Sequence, residues 1–287
     1  MKQDYDIRNT DPGKRRGPPG DQPGALLARY ARRMTSPQHP DTPLAIMAAM
    51  PQEIEALDQL LEDATTEHRA GRVYTLGTLN RQRVVLVHSR CGKVASATTA
   101  HDLIAHYGAK HVVFTGVAGA IDPSLNIGDV VVGASYIQHD MDARPLFPRF
   151  EVPLLGVSEF GPAALPHALE AAMTFLREDL SAAVPAEVLE RLCITSPKCV
   201  RGLVLSGDQF IADPARVAQL RADLPGALCV EMEGAAVAQV CDGFGVGFTS
   251  FRTISDTSDH AAPAEFWEAL TGIAAAYSRG IVSRLLG

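Results

Sequence analysis

The chain has 287 residues, 46% of them hydrophobic and 21% charged, which is enough apolar material for one large domain with a substantial core. Its five cysteines (Cys91, Cys193, Cys199, Cys229 and Cys241) are odd in number, scattered and without a CxxC pair, which argues against a disulfide framework or a zinc ribbon and fits a reducing, cytoplasmic compartment. No apolar run approaches the roughly 20 residues that span a bilayer, and the net charge of −7 gives no general footprint for nucleic acid.

The charge is uneven. Residues 1–42 hold eight Lys/Arg against five Asp, with six Pro and four Gly in strings such as GKRRGPPGDQPG. Such a stretch buries too little apolar surface to order itself. It reads as a disordered basic extension, with Met34 as a candidate start. Lys14, Arg15 and Arg16 are followed by no apolar segment of export-signal length. A basic tail that touches RNA or membrane is the sharper alternative.

From Pro43 onward strands and helices alternate. LAIMAAM (44–50) is a fully apolar strand running into PQEIEALDQLL, whose Ile54, Leu57 and Leu61 recur at helical spacing with Pro51 in the first turn. Two strands, 72–79 and 83–89, flank a hairpin-like break at Asn80-Arg81-Gln82. Gly92 to Tyr107 reads as a helix stopped by Gly108. HVVFTGVAGA (111–120) reads as a buried strand entering a glycine-rich turn, and 129–137 as another strand. A helix at about 164–178, an irregular polar stretch to about 199 and a strand at 202–210 follow. The helix 213–224 has Asp213 as N-cap and Pro214 in its first turn. CVEM, a helix from Glu233, the strand 247–255 and a final helix from about Pro263 complete the count. The alternation predicts an α/β fold with a largely parallel sheet, in which ligands bind at the carboxyl ends of strands.

Acidic residues gather at those ends: Glu53 after the first strand, Asp208 within the end of strand 202–210, Glu231 and Glu233 after CV, and Asp256 after strand 247–255. Singly, each has a plain explanation. Glu53 is favoured in a helix's first turn, and Asp256 can cap the final helix. Together they predict a shared acidic cleft. An isolated buried carboxylate is costly, and those that persist often have shifted pKa values and do chemistry. GVAGA lacks GxGxxG spacing, and no GxxxxGK[ST] or GxSxG is present. HDMD (139–142) and DTSDH (256–260) hold His and Asp without metal-ligand spacing, and Cys91 before a helix N-terminus has no visible base.

AIMAAMPQEIEAL, RCGKVASA, FTGVAGAIDPSLNIGDVVV, GLVLSGDQFIAD, VEMEGAAVAQVC and FRTISD together resemble the methylthioadenosine/S-adenosylhomocysteine nucleosidases of the purine nucleoside phosphorylase-like superfamily, in the correct order over about residues 44–286. The resemblance implies a single three-layer domain over 43–287 with a twisted, mixed, largely parallel sheet flanked by helices. It implies hydrolysis of the N-glycosidic bond of 5′-substituted adenine nucleosides in methionine salvage, without cofactor or metal. It implies a homodimer in which a second subunit helps close the 5′ pocket, and no nucleic-acid or membrane partner.

Roles follow residue by residue. Asp256 on the RxxSD loop is the acid that protonates adenine N7, with Ser255 steadying it. Glu53 activates water, and Arg252 lies near the water and acidic cluster. Glu233 holds the ribose hydroxyls, with Met232 beneath the sugar. Phe210 stacks on the purine, the Ile211 backbone reads its amino edge, and Val117, Ala118 and Gly119 line the site. Val117 stands where many relatives carry a small hydroxyl residue, and Arg90 and Cys91 replace a small–apolar pair near the 5′ substituent. Ala143, Leu146 and Phe147 are candidates for the 5′ closure, and residues 178–200 look longer than the family minimum. Phosphorolysis, which Arg90 keeps open, a futalosine-type or AMP nucleosidase, and a non-catalytic nucleoside-binding module are the alternatives.

Overall fold

The structure, a computed structural model, describes residues 42–287, and the readings of the basic extension and of Met34 lie outside the described residues. Strand β1 (Leu44–Ala48) is buried at every position, and its neighbours explain why. Ala45 and Met47 face a core that also holds Ala100 and Leu103 of the helix Lys93–Ala105 and Val237 and Cys241 of the helix Gly234–Phe244. Leu44, Ile46 and Ala48 face an opposite core with Phe175, Tyr277 and Ile281. A strand covered on both faces needs a continuous apolar run rather than an alternating one.

The sheet order is β10-β6-β8-β9-β5-β1-β4-β3-β2, with β7 (Glu159–Phe160) beside β6 and a further β10–β5 pairing. That extra pairing closes β5 (His111–Ala120), β10 (Gly247–Asp256), β6 (Val130–Gln138), β8 (Cys199–Ser206) and β9 (Ala227–Glu231) into a five-stranded ring. The sheet continues from β5 through β1, β4 (Gln82–His88), β3 (Arg72–Leu79) and β2 (Glu62–Arg69). β1 runs parallel to β5 and β5 parallel to β10, so their carboxyl ends open on one side. β9 meets β5 antiparallel through only two pairs, Gly119↔Val230 and Ala120↔Cys229, which brings its carboxyl end to the same place.

The structure differs from the sequence reading in five places. The helix expected after β1 is a 3-10 turn, Pro51–Glu53, and one helical turn, Glu55–Asp58, followed by β2. β2 (EDATTEHR) is an exposed edge strand paired only with β3, so it carries no hydrophobic period. The segment Gly116–Ala120 is strand throughout, not a turn, and its glycines make room for side chains from outside the sheet. β8 ends at Ser206, which leaves Asp208 in the following loop. The region to 199 contains the helix Ala186–Arg191, and the helix before it begins at Ala168 and passes through a π segment, Phe175–Asp179.

Candidate active site

Glu53 illustrates how the fold places a charge. The 3-10 turn carries it back over the end of β1, where Oε2 accepts from the amides of Ala49 (2.9 Å) and Met50 (2.8 Å). Its Oε1 accepts from the Val117 amide of β5 at 3.1 Å. The carboxylate is 3% exposed. Burial raises its pKa above the usual range, opposed by these three amides and the Arg252 charge. A Cβ at Gly116 would lie 2.7 Å from Glu53 Oε1 and 2.6 Å from Arg252 Nη1, so a side chain there would displace both groups.

Arg252 of β10 is 1% exposed and lies over the Phe114 ring, 4.1 Å from its centroid. Its Nη2 is 2.6 Å from Glu231 Oε2. Glu231, the last residue of β9, also accepts from the Glu233 and Gly234 amides at 3.2 and 2.9 Å and from Ser206 Oγ. Glu233 is the N-cap residue of the next helix, and its Oε1 accepts from the Gly92 amide at 2.7 Å. Burial, then the neighbouring Glu231 charge, pushes Glu233 up to about 8.

β10 reaches the site through an irregularity. Its pairing with β5 shifts register between Ile254 and Asp256, a bulge that leaves Ser255 as the extra residue and re-aims the acid. Ser255 Oγ donates to Asp256 Oδ2 at 2.7 Å, and the Ser258 amide donates to Oδ1 at 2.9 Å. Asp256 is 2% exposed. Burial pushes its pKa up to about 6, against those two hydrogen bonds and with help from the Glu265 and Asp259 charges.

These groups border one cavity, which with its open mouth holds about 560 Å³ of empty space. Glu53, Val117, Ala118, Gly119, Phe210, Ile211, Met232, Glu233, Ser255 and Asp256 line it, and Arg252 sits behind them. Phe210 is half exposed at the mouth and meets Phe266 edge-on, ring centroids 5.5 Å apart. Ala143, Leu146 and Phe147 do not border the cavity, and Leu146 is 83% exposed. Arg90 is also outside it: the guanidinium donates to the Gly71 carbonyl at 2.6 Å. Cys91 lines the cavity with its thiol pushed up to about 11, chiefly by burial and then by Glu233 and Glu53, which argues against a thiolate nucleophile.

The loops around the cavity are tied by Lys93. Its amide donates to Asp208 Oδ1 at 2.8 Å, its ammonium to Asp140 Oδ1 at 2.7 Å, and the Asp208 amide to Asp140 Oδ2 at 2.9 Å. Asp140 of HDMD is therefore engaged, and Asp142 pairs with Arg144. Among the described residues no group of three or more His, Cys, Asp or Glu is arranged to hold a metal ion. Sequence reasoning assigned no role to Ser206, Ser258 or Phe266. Of these only Ser258, two residues past the acid, left a trace in the chain.

The sequence pattern of the phosphorylase superfamily matches residues 43–287. A 5′-methylthioadenosine/S-adenosylhomocysteine nucleosidase of Pseudoalteromonas translucida (strain TAC 125) is 33% identical over 242 residues, 84% of this chain and 96% of its own. The crystal structure of the nucleosidase of that name from Colwellia psychrerythraea 34H, in complex with adenine, superposes with a TM-score of 0.73 at 34% identity, covering 86% of this chain and 95% of that one. The futalosine hydrolase of Helicobacter pylori strain 26695 superposes with a TM-score of 0.70 at 28% identity, over 85% and 97% of the two chains.

Proposed function

The chain belongs to the phosphorylase superfamily and, within it, to the 5′-methylthioadenosine/S-adenosylhomocysteine nucleosidases, and from that premise we propose how its own residues cleave an adenine nucleoside. The protein is an N-glycosidase that hydrolyses 5′-substituted adenine nucleosides to adenine and the 5-substituted ribose. The observation that carries the residue assignment is that Asp256 and Glu53, 203 positions apart in the chain, border one cavity.

Adenine leaves poorly as an anion, so the leaving base must gain a proton as the C–N bond breaks. Asp256 is the donor to N7. Its raised pKa keeps it protonated closer to neutrality than an ordinary aspartate, and Ser255 holds the oxygen. The sugar becomes oxocarbenium-like, and carboxylate charge nearby stabilises that state more than the substrate. Glu233 holds the ribose hydroxyls with Met232 beneath. Glu53, anchored by three amides, takes the proton from water on the opposite face. Acid on one side and base on the other is the inverting arrangement of glycosidases. Phe210 stacks on the base, the Ile211 backbone reads its amino edge, and Val117, Ala118 and Gly119 form the wall.

Glu53 also decides between water and phosphate. A carboxylate at the nucleophile's position repels an anion, and Arg90 is occupied by Gly71. Incubating the purified protein with methylthioadenosine, S-adenosylhomocysteine, 5′-deoxyadenosine, aminodeoxyfutalosine and AMP is expected to release adenine from the first three. Release from AMP alone would overturn the substrate assignment.

The exposed leucines of segment 141–157 support the homodimer reading. Leu146, Leu154 and Leu155 are 83%, 93% and 50% exposed, an uneconomical surface for a free monomer. Light scattering is expected to give twice the 30.6 kDa chain mass, and Leu154→Asp to reduce it to the single-chain value. A wild-type protein at 30.6 kDa across micromolar concentrations would contradict the homodimer. The reading places the enzyme in the cytoplasm, in methionine salvage.

A further inference from the structure

The hydroxyl of Ser258 is a polar group at the cavity that the reaction above does not use. Ser258 is 0% exposed and lines the cavity, and its Oγ has no hydrogen-bond partner. Buried hydroxyls are rarely left so. Its backbone is left-handed, with φ of 56°, a conformation that non-glycine residues adopt at a cost and that clusters at ligand sites. The surroundings fix where the hydroxyl lies. A Cβ on Gly119 would strike Ser258 Oγ and lie 2.8 Å from Asp256 Oδ1, so hydroxyl and carboxyl share the space over one glycine. Asp256 already has a donor on each oxygen, Ser255 Oγ at 2.7 Å and the Ser258 amide at 2.9 Å. The Ser258 hydroxyl is therefore surplus to holding the acid.

We infer that Ser258 Oγ is a second reader of the base, accepting a hydrogen bond from the exocyclic amino group at C6. The inference rests on the nucleosidase reading. A purine carries N7 and its C6 substituent on the same edge, so a group beside the N7 proton donor is in reach of that substituent. A hydroxyl offers two acceptor lone pairs and one donor. It can take an N–H of a 6-amino group, and a base bare at C6 gives it nothing. The residue thus adds a second contact to the amino group, from the N7 side, beside the reading of the amino edge by the Ile211 backbone, at no cost to the carboxyl of Asp256.

The test is calorimetric binding of free adenine and of unsubstituted purine to the full chain as wild type, Ser258→Ala and Ser258→Gly, alongside adenine release from methylthioadenosine. The alanine variant keeps the Cβ and loses only the oxygen. The glycine variant also loses the left-handed strain, so it carries the test where the alanine variant fails to fold. Both variants are expected to lose roughly three- to tenfold of the preference for adenine over purine, with purine affinity changed by less than about twofold. An unchanged preference in a folded variant, or equal losses for the two ligands, would overturn the inference. A wild-type protein that releases no adenine, while the preference still falls in the variants, would count against the nucleosidase reading and leave the base reader standing.

Discussion

Asp256→Asn is expected to lower adenine release by at least about 100-fold while leaving nucleoside binding measurable, because a positioned general acid contributes about 10²–10⁴-fold. The amide fits the site. Its oxygen still accepts from the Ser258 amide, and its nitrogen can donate to Ser255 Oγ, whose proton can turn to the Ala118 carbonyl at 3.3 Å. The wild-type pH profile carries the same signature. Asp256 must be protonated to act, so kcat/KM should fall as pH rises through about 6, and this limb should be absent from the residual activity of the variant.

The substitution should act on stability in the opposite sense to activity. A carboxyl raised by burial binds its proton more tightly in the folded state. Its contribution is fully present below the ordinary value of 3.8 and is lost as pH rises through about 6. At pH 8 the wild type bears the full cost of an ionised Asp256, at most about 3 kcal/mol, which the variant avoids. The variant should therefore melt above the wild type at pH 8, and the difference should vanish below pH 4. Near-normal turnover, or a lower melting temperature at pH 8, would contradict the assignment.

Arg252→Met should produce the largest loss of stability, about 3–5 kcal/mol, because it removes one partner from a buried ionic cluster. The guanidinium is 1% exposed and compensates Glu231, Glu233 and Glu53 together. Burial alone would lower its pKa, and the three carboxylates more than reverse that. Such a loss is a large share of the 5–15 kcal/mol that holds a typical domain. It should also depend on pH in a defined direction. With Arg252 gone Glu53 and Glu233, both raised by burial, are uncompensated wherever they are ionised, so the deficit should be greatest above pH 8 and shrink as pH falls and these two protonate. Urea denaturation of both proteins at pH 5 and 8.5 measures it. A deficit below about 1 kcal/mol, or one equal at both pH values, would mean that the cluster is not held by this arginine.

Much of this was legible in the chain because burial on both faces leaves continuous apolar runs. LAIMA and HVVFTGVAGA announce central strands, and each acidic residue that follows such a run stands at the sheet's carboxyl edge. What the chain hid depends on space rather than pattern. GVAGA looks like a turn because glycine usually marks one, yet Gly116 and Gly119 sit in a strand to admit Arg252, Glu53, Asp256 and Ser258. EDATTEHR carries no strand signal because an exposed edge strand needs no hydrophobic period. Glu231 and Glu233 look equivalent in VEME. Both border the cavity, and the fold gives them different partners, Arg252 and Ser206 for Glu231 and the Gly92 amide for Glu233.

The central claim is that Glu53 directs water, not phosphate, at the sugar. Purified protein should be given methylthioadenosine in phosphate-free buffer and in buffer with phosphate, with the sugar product followed by NMR. The expected result is adenine and free 5-methylthioribose at the same rate in both buffers. Release that requires phosphate and yields the ribose 1-phosphate derivative would contradict it.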